Sequence, residues 1–430
     1  MNLYIGIDIG TSACRACAIN QRASIVATAR RKLPPPLRQG VNVEQDARVW
    51  WQTLSETLDA LCAQIDPEQV RRIAVDGTSA TLLLCARDGT ALTPGLMYND
   101  ARAEAEAGLI AAAAPPDVAV QGATSGLAKL LHLRDRLPDT DFLALHQADW
   151  LTGKLTGHFG ISDENNALKT GYDPVQRRWP DWLATLNVSP RQLPEVVPPG
   201  SVIGTVNDAS VKRWRWPAGT EVVAGTTDST AGFIATQAST TGTAVTVLGS
   251  TLVIKVLSNQ PVTAARYGVY SHRLGDRWLV GGASNAGGAI ISTLFSSCDI
   301  HRYTRLVNPH QLTDLDYYPL SSRGERFPIQ DPLMEPRLEP RPSSDARFFQ
   351  GILEGLARIE QRGYRLLAEL GAPYPEQVLT VGGGAVNTGW AVIREQLLGV
   401  PVTRAKQQEA AFGTALLARS SGPVNIEVDL

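Results

Sequence analysis

Tyr4-Ile-Gly-Ile-Asp-Ile-Gly-Thr-Ser12 alternates apolar with small residues, breaks at a Gly-Thr-Ser turn, and is followed by a second apolar run, Ala13–Ile19. That pattern predicts a β-hairpin whose turn region carries one carboxylate, Asp8, and two hydroxyls, Thr11 and Ser12. Far along the chain, Val245-Thr-Val-Leu-Gly-Ser-Thr251 repeats the arrangement, again followed by an apolar strand. Two such hairpins predict a duplicated fold, one copy per domain. The first copy has Asp8 where the second has Val247, which predicts two facing lobes with one charged wall. Ordinary turn preferences for Gly-Ser and Gly-Thr would account for the echo without duplication.

Working outward, Ile73-Ala-Val-Asp-Gly-Thr-Ser79 predicts a second strand-and-turn unit continuing into Thr81–Cys85 and the Asp88-Gly89 turn. Between the two units, Val49, Trp50, Leu54, Leu58 and Leu61 recur at helical spacing within 47–65. The stretch from about 100 to 200 reads as helical and rich in loops, with Pro clusters at 194–199. Strands return at Glu221–Ala224, Thr243–Val256 and Trp278–Val280. A helix near Phe348–Leu370 then leads to Val378–Val381 and a Gly triplet. This alternation predicts α/β layers, and 430 residues predict two or three domains.

Composition excludes several classes. Forty basic against 42 acidic residues leave a net charge of −2, so a generic nucleic-acid or membrane-surface binder has no basic face to work with. Apolar residues at 43% and charged residues at 19% describe a globular chain with ample core. The start lacks a basic n-region, so no signal peptide is expected. Ala111–Val120 is broken by Pro115-Pro116-Asp117 and too short to span a bilayer. Five cysteines make no disulfide framework, and the expected location is cytoplasmic. Cys14 and Cys17 form a C-x-x-C on a predicted strand with no partner pair, which favours core packing over redox or zinc chemistry.

Three small-residue turns carry polar groups: Asp8-Ile-Gly-Thr-Ser12, Gly225-Thr-Thr-Asp-Ser229 and Gly382-Gly-Gly-Ala-Val-Asn387. Glycine lets a backbone approach a ligand closely, and turn N–H groups with Thr or Ser hydroxyls suit phosphate oxygens. A carboxylate does not favour phosphate directly, so Asp8 among such donors predicts a bridging cation, Mg²⁺. Asp228, just after the apolar 222–224 run, suits a general base. No G-x-x-x-x-G-K-[ST] and no lysine-based kinase signature occurs, so the P-loop and protein-kinase nucleotide sites are absent.

With these turns in this order, the chain resembles the FGGY carbohydrate kinases, within the actin, hexokinase and Hsp70 ATPase superfamily. Asp8–Ser12 is similar to that family's first phosphate motif, Gly225–Asp228 to the segment bearing its catalytic aspartate, and Val381–Asn387 to its adenosine motif. Tyr98–Arg102, Ser125–Leu130, Gly324–Pro328, Phe349–Ala357 and Glu409–Ala415 also match at family level. The resemblance implies an α/β, two-lobed actin/hexokinase/Hsp70-like fold of duplicated ribonuclease-H-like domains. It places a sugar-binding lobe at 1–235, with 409–430 returning to it, and a nucleotide-binding lobe at 236–408. The small residues Ser229–Gly232 would mark the junction. Asp228 would accept the proton of a terminal sugar hydroxyl attacking the γ-phosphoryl group of ATP. Asp8 would orient Mg²⁺ through water. Thr11, Ser12 and the Gly249-Ser250-Thr251 turn would bind phosphoryl oxygens. Gly383, Gly384, Ala385 and Asn387 would wall the adenosine. Asp8, Ser12, Ala13, Cys14, Arg15, Ser79 and Asp228 would face a neutral sugar, with closure of the lobes excluding water.

Where xylulose kinases typically carry Gln-Met-His-Gly, this chain has Gly77-Thr-Ser-Ala-Thr81, and it is shorter than the usual members. In both respects it resembles the compact plant and cyanobacterial-type D-ribulose kinases, which implies D-ribulose as substrate and a monomer or homodimer acting on small molecules, without nucleic acid or membrane. Phosphorylation of D-xylulose, L-ribulose or another polyol is the alternative within enzymes. An ATP-binding sugar sensor or an Hsp70-like chaperone lobe is the alternative outside this activity; the sensor would have lost Asp228, and the chaperone would need a peptide-binding extension after 415. Several residues have plainer readings. Ser79 could end a strand, Trp390 could be core rather than adenine wall, and His132 and His272 could be scaffold. Lys129 is expected on a solvated helix face, and Arg71-Arg72 in a solvated turn.

Overall fold

The computed structural model describes residues 2–137, 140–420 and 422–424; the proposed returning segment 409–430 falls partly outside them. The chain divides into two compact units, one of residues 1–237, 272–276 and the described part of 407–430, the other of 238–271 and 277–406.

The first unit is built on a six-stranded sheet. The opening hairpin pairs Leu3–Ile9 with Ala13–Asn20, and the latter pairs with Ile25–Lys32, all antiparallel. On its other edge Leu3–Ile9 runs parallel to Val70–Gly77, which runs parallel to Glu221–Val223; the antiparallel strand Val202–Thr205 closes that side. The second unit has the same plan. Thr243–Leu248 pairs antiparallel with Leu252–Ser258, which pairs antiparallel with Arg277–Ser284; on the other side Thr243–Leu248 is parallel to Gln377–Val381, itself parallel to Val402–Arg404. The hairpin echo is therefore a duplicated five-strand core, with Asp8 and Val247 at matching places. The 25-residue helix Asp345–Glu369 packs its apolar stripe of Phe349, Ile352, Leu356 and Leu367 into the core of this second sheet.

Several expectations need correction. The strand-and-turn unit expected over Ile73–Cys85 forms, but it spans two sheets. Leu82–Cys85 leaves for a separate five-stranded sheet, where it pairs with Leu143–His146, because the turn at 78–81 passes through a left-handed Ala80 (φ 64°) that redirects the chain. Arg71 and Arg72 lie in the strand Val70–Gly77 rather than in a turn, and Arg72 Nε pairs with Glu221 Oε2 at 2.5 Å across the parallel neighbours. Ser229–Gly232 is not a junction but the body of the helix Asp228–Ala235. Its small residues let a second helix, Ala410–Arg419, approach closely: a Cβ on Gly413 would stand 1.9 Å from the Ala231 carbonyl oxygen. Among the described residues, no helix is long and apolar enough to cross a membrane.

Candidate active site

Strand register assembles the carboxylates of the first unit. Asp8 is the Cα partner of Arg15 on one neighbouring strand and of Asp76 on the other, and paired residues project from the same face of a sheet. Arg15 Nη1 accordingly meets Asp8 Oδ2 at 2.9 Å, and Arg15 Nε lies 3.7 Å from Glu409. Asp8 is 5% exposed and Asp76 not at all. Burial raises the Asp8 pKa against the pull of Arg15; burial, and then the Asp8 charge, hold Asp76 well above the usual carboxylate range. The two carboxyl groups are neighbours across the strand pair, and the charge of Asp8 adds to the burial that favours the protonated form of Asp76. Asp76 Oδ2 accepts the Thr414 hydroxyl, and among the described residues no donor reaches Oδ1. Sequence reasoning missed Asp76, although a carboxylate inside the apolar run Ile73–Val75 was the signal.

Asp228 opens the helix Asp228–Ala235, whose N-terminus favours negative charge. Its half-buried carboxylate accepts from the Ser229 N–H at 2.7 Å, and its charge adds to those raising Asp76. The chain reaches it through Gly225, where a Cβ would lie 1.8 Å from the Val75 carbonyl oxygen. Asp8, Asp76 and Asp228 thus gather at the carboxyl ends of three adjacent parallel strands, the edge of an open α/β sheet where ligands bind. Thr11 and Arg15 are half-buried and Ser12 is exposed beside them, whereas Ala13 and Cys14 are enclosed. Burial pushes the Cys14 and Cys17 thiols up to about 12. Three residues apart on a strand, they point to opposite faces, and both are free thiols in the core.

The turn after Val70–Gly77 is heavily braced. Thr78 donates from N and Oγ1 to Gln147 Oε1 at 3.1 and 3.0 Å, its Oγ1 lies 2.5 Å from Thr81 Oγ1, and Gln147 N donates to the Thr81 carbonyl at 3.0 Å. At the centre of this scaffold Ser79 Oγ is buried with no partner among the described residues. Lys129 is buried rather than solvated, because its ammonium reaches main-chain carbonyls inside the unit. His132 fits its scaffold reading, with Nδ1 2.9 Å from Glu106 Oε1, and His272 is buried. Gln147 and Lys129, like Asp76, act across the fold on segments remote in sequence.

The second unit holds a cavity of about 790 Å³ lined by Gly249, Ser250, Gly383, Gly384, Asn387 and Trp390 among others, within the size range of small-molecule sites. Thr251 is not among its lining residues, and Ala385 lines a separate cavity of about 340 Å³. A Cβ on Gly384 would fall 2.7 Å from the Trp390 ring, so only glycine keeps that wall flat. Trp390 combines both readings: it is 3% exposed, donates Nε1–H to the Leu353 carbonyl at 3.0 Å, and still lines the cavity. The Asn387 side chain is committed to the helix Thr388–Leu398, accepting the Trp390 N–H at 2.9 Å and donating to Thr304 Oγ1. Beneath this loop lies a buried ion pair, Arg394 Nε to Glu360 Oε2 at 2.6 Å and Nη2 to Oε1 at 2.7 Å.

Comparison with known proteins places this geometry. Residues 3–235 match the N-terminal domain of the FGGY family of carbohydrate kinases and residues 244–421 its C-terminal domain. The xylulose kinase of Escherichia coli K12 is 25% identical over 418 residues, covering 92% of this chain and 85% of that protein. Among solved structures, a xyloylose kinase from Brucella ovis superimposes with a TM-score of 0.87 at 23% identity, covering 97% of this chain and 90% of the other. Plasmodium falciparum glycerol kinase with ADP gives 0.84 at 16% identity, covering 97% and 89%. These structures share the two-domain α/β, actin/hexokinase-like fold. The chain belongs to the FGGY family of carbohydrate kinases and is an ATP-dependent sugar phosphotransferase.

Proposed function

We propose that this carbohydrate kinase phosphorylates a ketopentose, D-ribulose in preference to D-xylulose, on its terminal hydroxyl. One observation carries the reading: the unpaired Ser79 hydroxyl sits in a braced turn of the same unit that gathers Asp8, Asp76 and Asp228. A neutral polyhydroxylated substrate needs short polar groups and one base, and this unit supplies both. Asp228, a carboxylate at a helix start, is positioned to take the proton of the attacking hydroxyl as the O–P bond forms and ADP departs. ATP would occupy the 790 Å³ cavity of the second unit, its adenosine against Gly383, Gly384 and the Trp390 wall and its phosphates toward the Gly249–Ser250 turn.

A Mg²⁺ ion fits the donor set at Asp8. Among the described residues no group of three or more His, Cys, Asp or Glu side chains could cage a metal. One or two hard carboxylate oxygens, completed by water and substrate phosphates, are what Mg²⁺ uses in such sites. When bound, the ion would neutralise phosphate charge. Asp8, already held by Arg15, would reach it through water.

D-Xylulose is the second reading, favoured by the xylulose kinases among the relatives. Against it stand the hydroxyls of Thr78, Ser79 and Thr81 in the braced turn, with no imidazole there. The sugars differ at the C3 hydroxyl, and a site built to hydrogen-bond one configuration rejects the other because its own groups are left unpaired. The test is kcat/KM for both sugars with one enzyme preparation: a preference for D-xylulose, or equal values, overturns the specificity. Asp228→Ala should lower kcat by roughly 10²–10⁴-fold, and near-wild-type turnover would remove its role as base.

A further inference from the structure

Lys129 lies within the helix Gly126–Arg134 and has no exposed surface. Its Nζ donates to two main-chain carbonyls, those of Ala80 and Met97, each at 2.8 Å. Among the described residues no carboxylate bonds this ammonium. The neighbouring Asp100 is already engaged, accepting from the Val43 N–H at 2.5 Å and from Arg102 at 2.8–3.0 Å, and Arg102 also pairs with Glu44 at 2.8 Å. Burial drags the Lys129 pKa down to about 7. An ammonium held only by carbonyls is expensive to bury, and a methionine would fill the same space without that penalty. A buried charge that the fold does not need for packing calls for another reason.

The two carbonyls supply one. Ala80 follows Ser79 directly, and Met97 stands two residues before Asn99. Among the described residues, Ser79 Oγ and Asn99 Oδ1 are both buried and without a hydrogen-bond partner. Ala80 is left-handed, at φ 64°, a conformation that a non-glycine residue holds only when its surroundings enforce it. Thr78 and Thr81 are fixed from one side by Gln147, and Lys129 fixes Ala80 from the other. Because a single nitrogen bonds both carbonyls, the two segments are held at one spacing, each presenting an unsatisfied polar atom.

We propose that Lys129 is a positioning residue that clamps the Ser79 turn to the Asn99 segment, so that Ser79 Oγ and the Asn99 side chain together bind two hydroxyls of the sugar, with Asn99 a specificity-determining contact. This rests on the sugar-kinase site placed at Ser79. Ser79 donates or accepts as its hydroxyl rotates, while Asn99 offers both an acceptor and a donor, a pairing that distinguishes hydroxyl configurations on adjacent carbons. Gln and Arg in place of Lys129 could not repeat the clamp: one lacks the reach, the other spreads its donors over a plane.

The experiment is a kinetic cycle on the full chain, run with whichever pentulose or polyol the wild-type enzyme turns over best. Lys129→Met should keep the fold by circular dichroism and leave KM for ATP unchanged, while kcat/KM for the sugar falls about tenfold or more, the worth of one lost hydrogen bond to substrate. Asn99→Ala and Ser79→Ala should each lower sugar kcat/KM in the wild-type background and lose most of that effect in the Lys129→Met background. Equal weakening of sugar and ATP, or full additivity of the three substitutions, overturns the clamp. Unchanged sugar kcat/KM in Asn99→Ala overturns the second contact. Should Lys129→Met fail to fold, the Asn99 and Ser79 single and double variants decide between the same outcomes. The ketopentose reading fails separately, if the preferred sugar proves to be of another class.

Discussion

Replacing Gly6 by alanine measures how tightly the helix Ala410–Arg419 is seated on the strand that carries Asp8. A Cβ at Gly6 would stand 2.1 Å from the Ala415 nitrogen, 2.2 Å from the Ala411 carbonyl oxygen and 2.6 Å from the Thr414 carbonyl carbon. All three are main-chain atoms, so no rotamer relieves the clash. Regaining ordinary contact at about 3.4 Å requires the helix to retreat by about 1.3 Å. It has no slack on the far side, where Gly413 already lies against the Ala231 carbonyl of the helix headed by Asp228. One methyl forced into a well-packed site typically costs about 1–3 kcal/mol, and backbone against backbone on both sides puts this case near 3 kcal/mol. The same retreat pulls the Thr414 hydroxyl from Asp76 and Glu409 from Arg15, so turnover should fall together with stability. Urea unfolding reads the first effect and a coupled kinase assay the second. Gly232→Ala is the control: nothing lies within 4 Å of a Cβ there, and alanine in a helix should stabilise by roughly 0.5–1 kcal/mol. A Gly6→Ala protein within about 0.5 kcal/mol of wild type, with unchanged kcat, would refute the tight seating.

Further outcomes follow from the buried charges. Arg394→Met strands Glu360, which has no exposed surface, and should destabilise by about 3–5 kcal/mol, whereas Arg394→Met with Glu360→Met should recover most of the loss; a double variant as unstable as the single one contradicts this account. Asp163 is pushed up to about 6 by burial, next to Asp149, which burial also raises. A raised carboxyl pKa means that the native state holds the proton: its contribution is fully present below about pH 4 and is lost as pH rises through about 6. Asp163→Asn should therefore gain on wild type by the order of 2 kcal/mol between pH 4 and 7, and parallel stability curves would refute it. Cys14 and Cys17, with thiols near 12, should resist alkylation at pH 8 in the native state while the exposed Cys298 reacts first; rapid labelling of either strand cysteine, read by mass spectrometry, would show that the core opens.

What could be read from the chain alone was local and periodic. The hairpins at 3–20 and 243–258 have alternation and turn residues within one stretch, so their strands, their duplication and the place of Asp8, Thr11 and Ser12 were legible. The long helix Asp345–Glu369 was legible for the same reason, its apolar stripe repeating at helical spacing. Tertiary structure alone decided which polar groups meet. Asp76 is set opposite Asp8 by the register of two parallel strands more than sixty residues apart in sequence, and parallel pairing leaves no turn from which that register could be inferred. The branch of Leu82–Cys85 into a second sheet depends on one left-handed residue, Ala80, of a type that does not advertise such a backbone. Lys129 looked solvated because helical periodicity reports which face is apolar, not where a carbonyl from another segment will fall. Its burial followed once Ala80 and Met97 were brought to it, because a charge enters a core only where folding has already gathered the groups that satisfy it.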